Sequence, residues 1–322
     1  MLTRNTASAR SGFMRSSGEP RHISDAYRHC RKIAESHYEN FTVGSWLLPR
    51  KLRRHIAAIY AFSRMADDMA DEGIRPAAER LQLLDAWERE LELCFQGRPA
   101  NPIFVALGRS VEEFDLPIEP FRRLLHAFRS DVLFSGFDTF DALLAYCRCS
   151  ANPVGHLVLN LFGYRDSERQ DLADKICTGL QLANFWQDVS VDARKGRLYV
   201  PLDALARFGC SSADFMEGTM TDAVRDLLAC EITWTRAMLG DGLRLAELVE
   251  SRLARELRIF AWGGLAILRC IEAENYDVLT RRPTVPRWRQ MGLVLRALFT
   301  SRRRLTEARR STPAEECQRG LA

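Results

Sequence analysis

The sequence predicts an all-α protein, and three observations support this fold class. Apolar residues recur at intervals of three and four along almost the whole chain, which is the spacing of one face of a helix. No segment shows the sustained alternation of apolar and polar residues, rich in β-branched side chains, that is typical of strands. Gly and Pro residues interrupt the helical pattern at several places, as expected for helices joined by short loops.

In the N-terminal half, the helical pattern is continuous between these breakers. We predict helices over 24–39, 50–71, 77–96, 103–114 and 119–130. The second helix ends near Gly73, the third ends where Gly97 and Pro99 interrupt the pattern, and the fourth ends before Pro117. Ser24 is the predicted N-cap of the first helix, because a Ser side chain can accept hydrogen bonds from the N–H groups of the first turn.

The C-terminal half shows the same pattern with longer helices. We predict helices over 140–161, 166–192, 202–208, 222–248, 251–279 and 287–300. Gly163, Gly209 and Pro283 interrupt the pattern between them, and Asp222 is a predicted N-cap. Pro153 lies inside the first of these helices and predicts a kink, because proline lacks an N–H group and its ring clashes with the preceding turn.

The order of these segments predicts a single domain over residues 22–300, since no stretch rich in Pro, Gly and Ser divides them. Residues 1–21 are rich in Ser, Arg and Gly and lack the continuous apolar core of a secretory signal, which predicts a disordered N-terminal tail. Residues 301–322 predict a basic C-terminal tail. This tail carries Arg302, Arg303, Arg304, Arg309 and Arg310.

The composition favours a soluble globular protein. Of the 322 residues, 47% are hydrophobic and 27% are charged, and the net charge of +4 gives no case for nucleic acid as the main partner. The most apolar stretch, 259–268, is too short to span a bilayer. The nine cysteines are scattered without a CxxC pair, which argues against a disulfide framework and a zinc site and favours a reducing cytoplasm.

Two stretches place side-chain oxygens one helical turn apart. Residues four apart project from the same face of a helix, so Asp67 shares a face with Asp71, and Asn184 shares one with Asp188 and Asp192. Like charges at this spacing repel each other unless a cation lies between them. Magnesium, which binds through a few carboxylates together with phosphate oxygens, suits this set of ligands. The sequence therefore predicts a magnesium site and a phosphate or diphosphate substrate.

Other residues near these stretches could take part in the same chemistry. Tyr60 and Arg64 lie on the stripe of the first acidic pair. The second stretch alternates with apolar residues and is predicted to be buried, where carboxylates need partners. Arg197 belongs to a basic cluster that follows it, and this cluster could either contact a diphosphate or cap the carbonyls of the helix end.

A third segment, residues 146–155, runs from Tyr146 through small residues and Pro153 to Gly155. Alone it is typical of core packing at a bent helix. Together, the three segments resemble the squalene/phytoene synthase family, whose members are head-to-head isoprenyl diphosphate synthases, over most of residues 25–290. The family's two acidic motifs match at 67–71 and 181–201, and its central motif matches at 146–155. Cys177 departs from the family pattern, where Gly is usual, and puts the local helix packing in doubt.

Within the family, residues 37–49 look most like the hydroxysqualene synthases of bacterial hopanoid pathways, often called HpnC. Enzymes that couple two prenyl diphosphates resemble one another in carrying Ser and often Lys just before Phe41, where this chain has Glu39 and Asn40. A carboxylate repels a phosphate unless a metal intervenes. An enzyme that receives presqualene diphosphate holds one diphosphate and could tolerate the loss of a second anion site, although Glu39 could also be a surface residue.

The resemblance implies an isoprenoid-synthase-like helical bundle around a central cavity and a role for each candidate residue. The implied magnesium ligands are Asp67, Asp71, Asn184, Asp188 and Asp192. Arg64 and Arg197 would stabilise the charge on the departing diphosphate, and Tyr146 would position water or the diphosphate. The implied substrate contacts are His37, Phe41, Tyr60, Phe62, Phe185, Trp186, Gln187 and Tyr199.

The reaction implied is the ionisation of presqualene diphosphate and the capture of the cation by water, which yields hydroxysqualene and needs no NADPH. One alternative is the head-to-head condensation of two farnesyl diphosphates to presqualene diphosphate, squalene or a carotenoid precursor. Another is an inactive helical scaffold, although all five ligand positions are filled. An apolar substrate also suggests peripheral contact with the inner face of the membrane and functional coupling with a presqualene diphosphate synthase.

Overall fold

The computed structural model describes residues 21–36, 48–71 and 75–299. All regular secondary structure in these ranges is helical, with no strand, so the predicted all-α fold class is confirmed. The two predicted tails lie outside these ranges, apart from Arg21, which begins the first helix. No helix within these ranges has both the length and the apolar character needed to cross a bilayer.

The first five helices pack against one another around an aromatic core. They are α1 (Arg21–Ser36), α2 (Arg50–Asp71), α3 (Ala77–Phe95), α4 (Pro102–Phe114) and α5 (Glu119–Val132). The side chain of Asn101 accepts a hydrogen bond from the N–H of Ile103 and so caps α4. Between these helices, the ring of Phe62 packs edge to face against those of Phe104 and Phe121.

The remaining helices surround one long helix, α8. They are α6 (Phe140–Ser150), α7 (Asn152–Leu161), α8 (Ser167–Arg194), α9 (Leu202–Phe208), α10 (Ser212–Met216), α11 (Asp222–Gly242), α12 (Leu245–Leu248), α13 (Ser251–Ala273) and α14 (Arg287–Phe299). Helix α8 packs against α7, α11 and α13, and α14 packs against α13. Its position against several helices explains why its acidic residues emerge from mostly buried sequence.

Several helix ends differ from the predicted ones. Ser24 lies inside α1 and is not an N-cap, and the cap of α11 is Thr221, whose side chain accepts a hydrogen bond from the N–H of Val224, and not Asp222. The predicted kink is present as a break at Ala151, and Pro153 lies in the first turn of α7, where its missing N–H costs nothing. The short helix α10 was not predicted.

Most cysteines in the described residues are free thiols. They are Cys30, Cys94, Cys147, Cys149, Cys177, Cys210 and Cys270. Cys230 is disulfide-bonded, but one bonded cysteine does not make the disulfide framework that the sequence argues against.

Cys177, which departs from the family pattern, packs closely against Gly155 of the central motif. A Cβ atom added at Gly155 would lie 2.8 Å from Cys177 Sγ, closer than real Cβ contacts allow. The absence of a side chain at Gly155 therefore makes room for the thiol, and α7 and α8 remain in close contact.

Candidate active site

The end of α2 and the end of α8 carry the two acidic stretches, and Arg197 connects them. The Arg197 Nη2 atom donates a hydrogen bond of 2.8 Å to Asp71 Oδ1, across 126 residues of sequence. Asp71 lies close enough to Asp192 for its negative charge to contribute to the raised pKa of Asp192. The two stretches predicted to form one site therefore face each other.

Arginine side chains neutralise several of these acids. Arg64 pairs with Asp67 at 3.2 Å and with Asp68 at 2.5 Å on the same face of α2. Arg282, from the loop after α13, forms an ion pair with Asp188 on α8. Guanidinium groups that bind carboxylates can equally bind the oxygens of a diphosphate, because both present pairs of acceptor atoms.

Asp131, at the end of α5, lies near the acids of α2 and beside Arg197. Tyr146 donates a hydrogen bond of 2.8 Å to Asp131 Oδ1, and the Arg197 Nη2 atom lies 3.5 Å from the Asp131 carbonyl oxygen. Burial raises the pKa of Asp131 to about 7, while the hydrogen bond from Tyr146 and the charge of Arg197 act in the opposite direction. A carboxyl group with this pKa can accept or release a proton near neutral pH.

Asp192 is similarly perturbed. Burial, followed by the charge of Asp188 one turn before it, raises the pKa of Asp192 to about 6. Lys195 and Arg197 oppose this shift. Clustered acids with raised pKa values favour the approach of a cation, which would stabilise their ionised forms.

An aromatic cluster lies beside these charged groups. The rings of Phe185 and Tyr199 stack with their centroids 4.0 Å apart, and Phe134 packs against Tyr199 at 4.9 Å. Phe137 contacts the Tyr146 ring at 5.4 Å. Aromatic faces carry partial negative charge and can stabilise a neighbouring cation, so this cluster could adjoin a positively charged hydrocarbon.

Two predicted substrate contacts point into the protein core instead. The side chain of Phe62 is 0% exposed and packs against Trp87 and Phe104. Trp186 is also 0% exposed, and its Nε1–H donates a hydrogen bond of 2.9 Å to Thr235 Oγ1 on α11. Neither ring lies on the face that carries the acids, because each occupies the buried side of its helix. We therefore leave both out of the proposed site.

The other predicted contacts have mixed outcomes. Gln187 is buried, and its Nε2 atom donates a hydrogen bond of 2.6 Å to the carbonyl of Pro283. Its Oε1 atom accepts one of 3.3 Å from Arg282, which also pairs with Asp188, so Gln187 anchors the loop after α13 beside this acid. Tyr60 is half-buried and lies one turn before Arg64 on α2, and its contact with substrate stays a prediction. His37 and Phe41 lie outside the described residues, so their contacts stay predictions.

The donor set fits magnesium in its chemistry. Asn184 is exposed, Asp67, Asp188 and Asp192 are partly exposed, and Asp71 is exposed, so all five can reach a bound ligand. Among the described residues, no three Asp, Glu, His or Cys side chains group closely enough to hold a metal by themselves. Magnesium commonly takes one or two carboxylates and completes its octahedron with water and phosphate oxygens, so each acidic pair would share the ion with a diphosphate.

Sequence reasoning missed several residues at this site. Asp131 and Arg282 belong to no recognisable spacing, since each is a single charged residue near the end of a helix or in a loop. Phe134 and Phe137 lie in the segment between α5 and α6, where no helical period indicates which way a side chain faces. Only their tertiary contacts identify them.

Facing acidic motifs on two helices of an all-α fold define the class of all-α isoprenoid synthases. The model of the squalene/phytoene synthase family matches residues 34–289. The chain belongs to the squalene/phytoene synthase family. Members of this family act on prenyl diphosphates such as farnesyl diphosphate, and they generally use a divalent metal for ionisation of the diphosphate.

Individual relatives agree with this assignment. A squalene synthase, HpnC, from Alicyclobacillus acidocaldarius has a structure that matches with a TM-score of 0.77 and 42% identity, covering 80% of this chain and 97% of that one. A phytoene synthase from Arthrospira platensis is 34% identical over 285 residues, covering 83% of this chain and 91% of the relative. A 15-cis-phytoene synthase from Synechocystis is 35% identical, covering 82% of each chain.

Proposed function

We propose that the protein is a hydroxysqualene synthase, which converts presqualene diphosphate and water to hydroxysqualene and diphosphate in squalene and hopanoid biosynthesis. One observation carries this choice within the family: the similarity to the HpnC squalene synthase, at 42% identity, is higher than that to the phytoene synthases from Arthrospira and Synechocystis, at 34% and 35%. The resemblance of residues 37–49 to the hydroxysqualene synthases supports the same choice.

The residues of the site have separate tasks in this proposal. Magnesium held by Asp67, Asp71, Asn184, Asp188 and Asp192 would supply positive charge to the leaving diphosphate. Arg64 and Arg197 bind the departing oxygens and stabilise the charge that develops on them. Both guanidinium groups already lie among the acids, so a diphosphate bound there would be within their reach.

The capture of the cation by water requires a group that takes up a proton. Asp131, with its pKa raised to about 7 and its carboxyl oriented by Tyr146, is placed for this role. The water oxygen forms a bond to the cationic carbon, and one of its protons passes to the Asp131 carboxylate. The stacked rings of Phe185 and Tyr199 would wall this position with apolar surface and keep other nucleophiles from the cation. This sequence of steps uses no NADPH.

A second candidate function is the head-to-head condensation of two farnesyl diphosphates. The phytoene synthase relatives favour it, because the match extends over most of both chains. An inactive scaffold has no such support, since the acids and arginines described above converge on one place.

Product analysis by mass spectrometry separates these functions. We expect the purified protein with magnesium to convert presqualene diphosphate to hydroxysqualene, with or without NADPH, and to leave farnesyl diphosphate unchanged. If farnesyl diphosphate is consumed when it is the only substrate supplied, the condensation reaction is established instead. Inactivity on both substrates would favour the scaffold.

Substitution of the acids tests the site itself. Asp67→Asn and Asp188→Asn each remove a negative charge without changing shape, and we expect turnover to fall by at least about a hundredfold while the helical circular dichroism spectrum stays intact. Asp171→Asn is the matched control, because this exposed acid lies on α8 two turns or more from the ligand face. An active double variant, Asp67→Asn with Asp188→Asn, would refute the assignment of the metal site.

The proposed setting is the cytoplasm, with peripheral contact at the inner face of the membrane and functional coupling with a presqualene diphosphate synthase. Such coupling would spare an apolar intermediate from crossing water. A pull-down between the two purified enzymes, with vesicles present and absent, measures it directly.

A further inference from the structure

Helix α14 carries apolar side chains on its outer face. Trp288 is 71% exposed, Met291 is 63% exposed and Leu295 is 50% exposed. At 3.6 residues per turn these three positions fall within an arc of about 60° on the helix surface, so they form one stripe. Ala297, on the opposite side, is fully buried. A surface helix normally keeps large apolar side chains off its outer face, whereas α14 exposes this stripe alongside its polar residues.

This arrangement is confined to α14 within the part of the chain that the structure describes. The other large apolar side chains that are exposed there are Leu133, Leu202 and Met216. Each of these lies on or next to a different helix, and single exposed apolar residues of this kind are common on protein surfaces. Contiguous ones mark a contact surface.

The charge around the stripe indicates what it contacts. Helix α14 has three arginines in its sequence and no Asp or Glu. These arginines are Arg287, Arg289 and Arg296. The guanidinium of Arg289 lies 5.0 Å from the centre of the Trp288 ring, so positive charge directly borders the stripe. A helix that combines exposed Trp and aliphatic side chains with arginine is typical of segments that lie in the headgroup region of an anionic bilayer.

We propose that α14 is the membrane-docking surface of the protein and that it binds acidic phospholipids. The stripe of Trp288, Met291 and Leu295 inserts among the acyl chains near the headgroups, while Arg289 and Arg296 contact the lipid phosphates. Three apolar side chains alone give weak partitioning into a bilayer, so binding also depends on the attraction between arginine and anionic lipid. Binding should therefore weaken when salt is added or when anionic lipid is removed.

The position of α14 places this surface near the acidic helix. The loop that leads into α14 is tied to α8, because Arg282 pairs with Asp188 and the carbonyl of Pro283 accepts a hydrogen bond from Gln187. A protein docked through α14 would therefore hold α8 close to the bilayer. The docking itself rests on the helix alone and does not depend on which reaction the site performs.

Co-sedimentation of the full chain with vesicles tests the proposal. We expect binding to vesicles of phosphatidylcholine with phosphatidylglycerol, and little binding to phosphatidylcholine alone. Met291→Ser should reduce the ratio of vesicle-bound to free protein about fivefold or more. Met216→Ser, the same change at an exposed site on α10, should leave this ratio unchanged. Arg289→Gln should weaken binding about fivefold, and Arg252→Gln, an exposed site on α13, should have a smaller effect.

Fluorescence and oligomeric state complete the test. The emission of the wild type should shift to the blue with anionic vesicles, and Trp288→Phe should lose most of this shift while it still sediments with them. Equal binding to neutral and anionic vesicles, or an unchanged bound fraction for Met291→Ser, would overturn the proposal. So would a wild-type dimer in sedimentation equilibrium that becomes monomeric in Met291→Ser, because the stripe would then be covered by a second copy of the chain.

Discussion

Burial of the Asp131 carboxyl group makes the stability of the protein sensitive to pH in a specific way. Asp131 has a folded-state pKa of about 7, above its ordinary value of 3.8, so the folded state holds this proton over that interval while the unfolded state releases it. The unfolding free energy therefore falls as the pH rises from about 4 to about 7. Tyr146 opposes this loss, because it donates a hydrogen bond of 2.8 Å to the ionised carboxylate.

Tyr146→Phe removes this hydrogen bond and keeps the ring against Phe137. A hydrogen bond to a charged group contributes about 1.5–3 kcal/mol, and one between neutral groups contributes about 0.5–1.5 kcal/mol. The substitution should therefore cost about 1 kcal/mol more at about pH 8, where Asp131 is ionised, than at about pH 5, where it is protonated. The pKa of Asp131 should rise further above 7, since the stabilisation of its charged form is lost.

Urea denaturation of the wild type and the variant at the two pH values measures this difference. Tyr199→Phe is the control, because it removes a hydroxyl from the same aromatic cluster and leaves the bond to Asp131 in place. In an Asp131→Asn background the cost of Tyr146→Phe should become the same at both pH values. An equal cost at both pH values in the wild-type background would refute the reasoning. Under the proposed function, the acid limb of the turnover profile of Tyr146→Phe should also move to higher pH.

Two further predictions concern the packing around α11. Burial raises the pKa of Glu231 to about 8 from its ordinary value of 4.5, so the folded state retains a proton that the unfolded state loses. The unfolding free energy of the wild type should therefore fall between about pH 5 and pH 8. That of Glu231→Gln should exceed it by up to about 4 kcal/mol at the upper end of this range, as measured by denaturant unfolding. At Gly242 a Cβ atom would lie 2.7 Å from Ile176 Cγ1 and 3.0 Å from the Ile176 nitrogen, so Gly242→Ala should cost about 1–3 kcal/mol. A Cβ atom at Gly240 would meet open space, so Gly240→Ala should instead raise the unfolding free energy by about 0.5–1 kcal/mol. Equal effects of Gly242→Ala and Gly240→Ala would contradict the close approach of α8 and α11.

Helical period alone was enough to predict which acids share a face. Asp67 with Asp71 and Asp188 with Asp192 are one turn apart, and the structure places each pair on a helix that covers both members. The predicted range of α2, 50–71, agrees with the structure at both ends. Helix ends elsewhere were less predictable, because a cap depends on one side-chain hydrogen bond, as at Thr221.

The opposite faces of the same helices could not be predicted in this way. Phe62 and Trp186 were expected near the substrate because they are aromatic and close in sequence to the acids. Their rings lie in the core, since α2 and α8 turn those faces toward Trp87 and Thr235. Periodicity shows which residues share a face, but the neighbouring helices decide whether that face meets a ligand or the core.

Local spacing thus determined the fold class and the two acidic ladders, and the resemblance of the motifs indicated the family. The tertiary structure decided how these ladders meet: through Arg197 on Asp71 and near Asp131, and with Arg282 on Asp188. The physical reason is that helical geometry relates residues three or four apart, whereas these contacts join residues 66 to 126 apart, and only the packing of helices around α8 brings them within hydrogen-bonding distance.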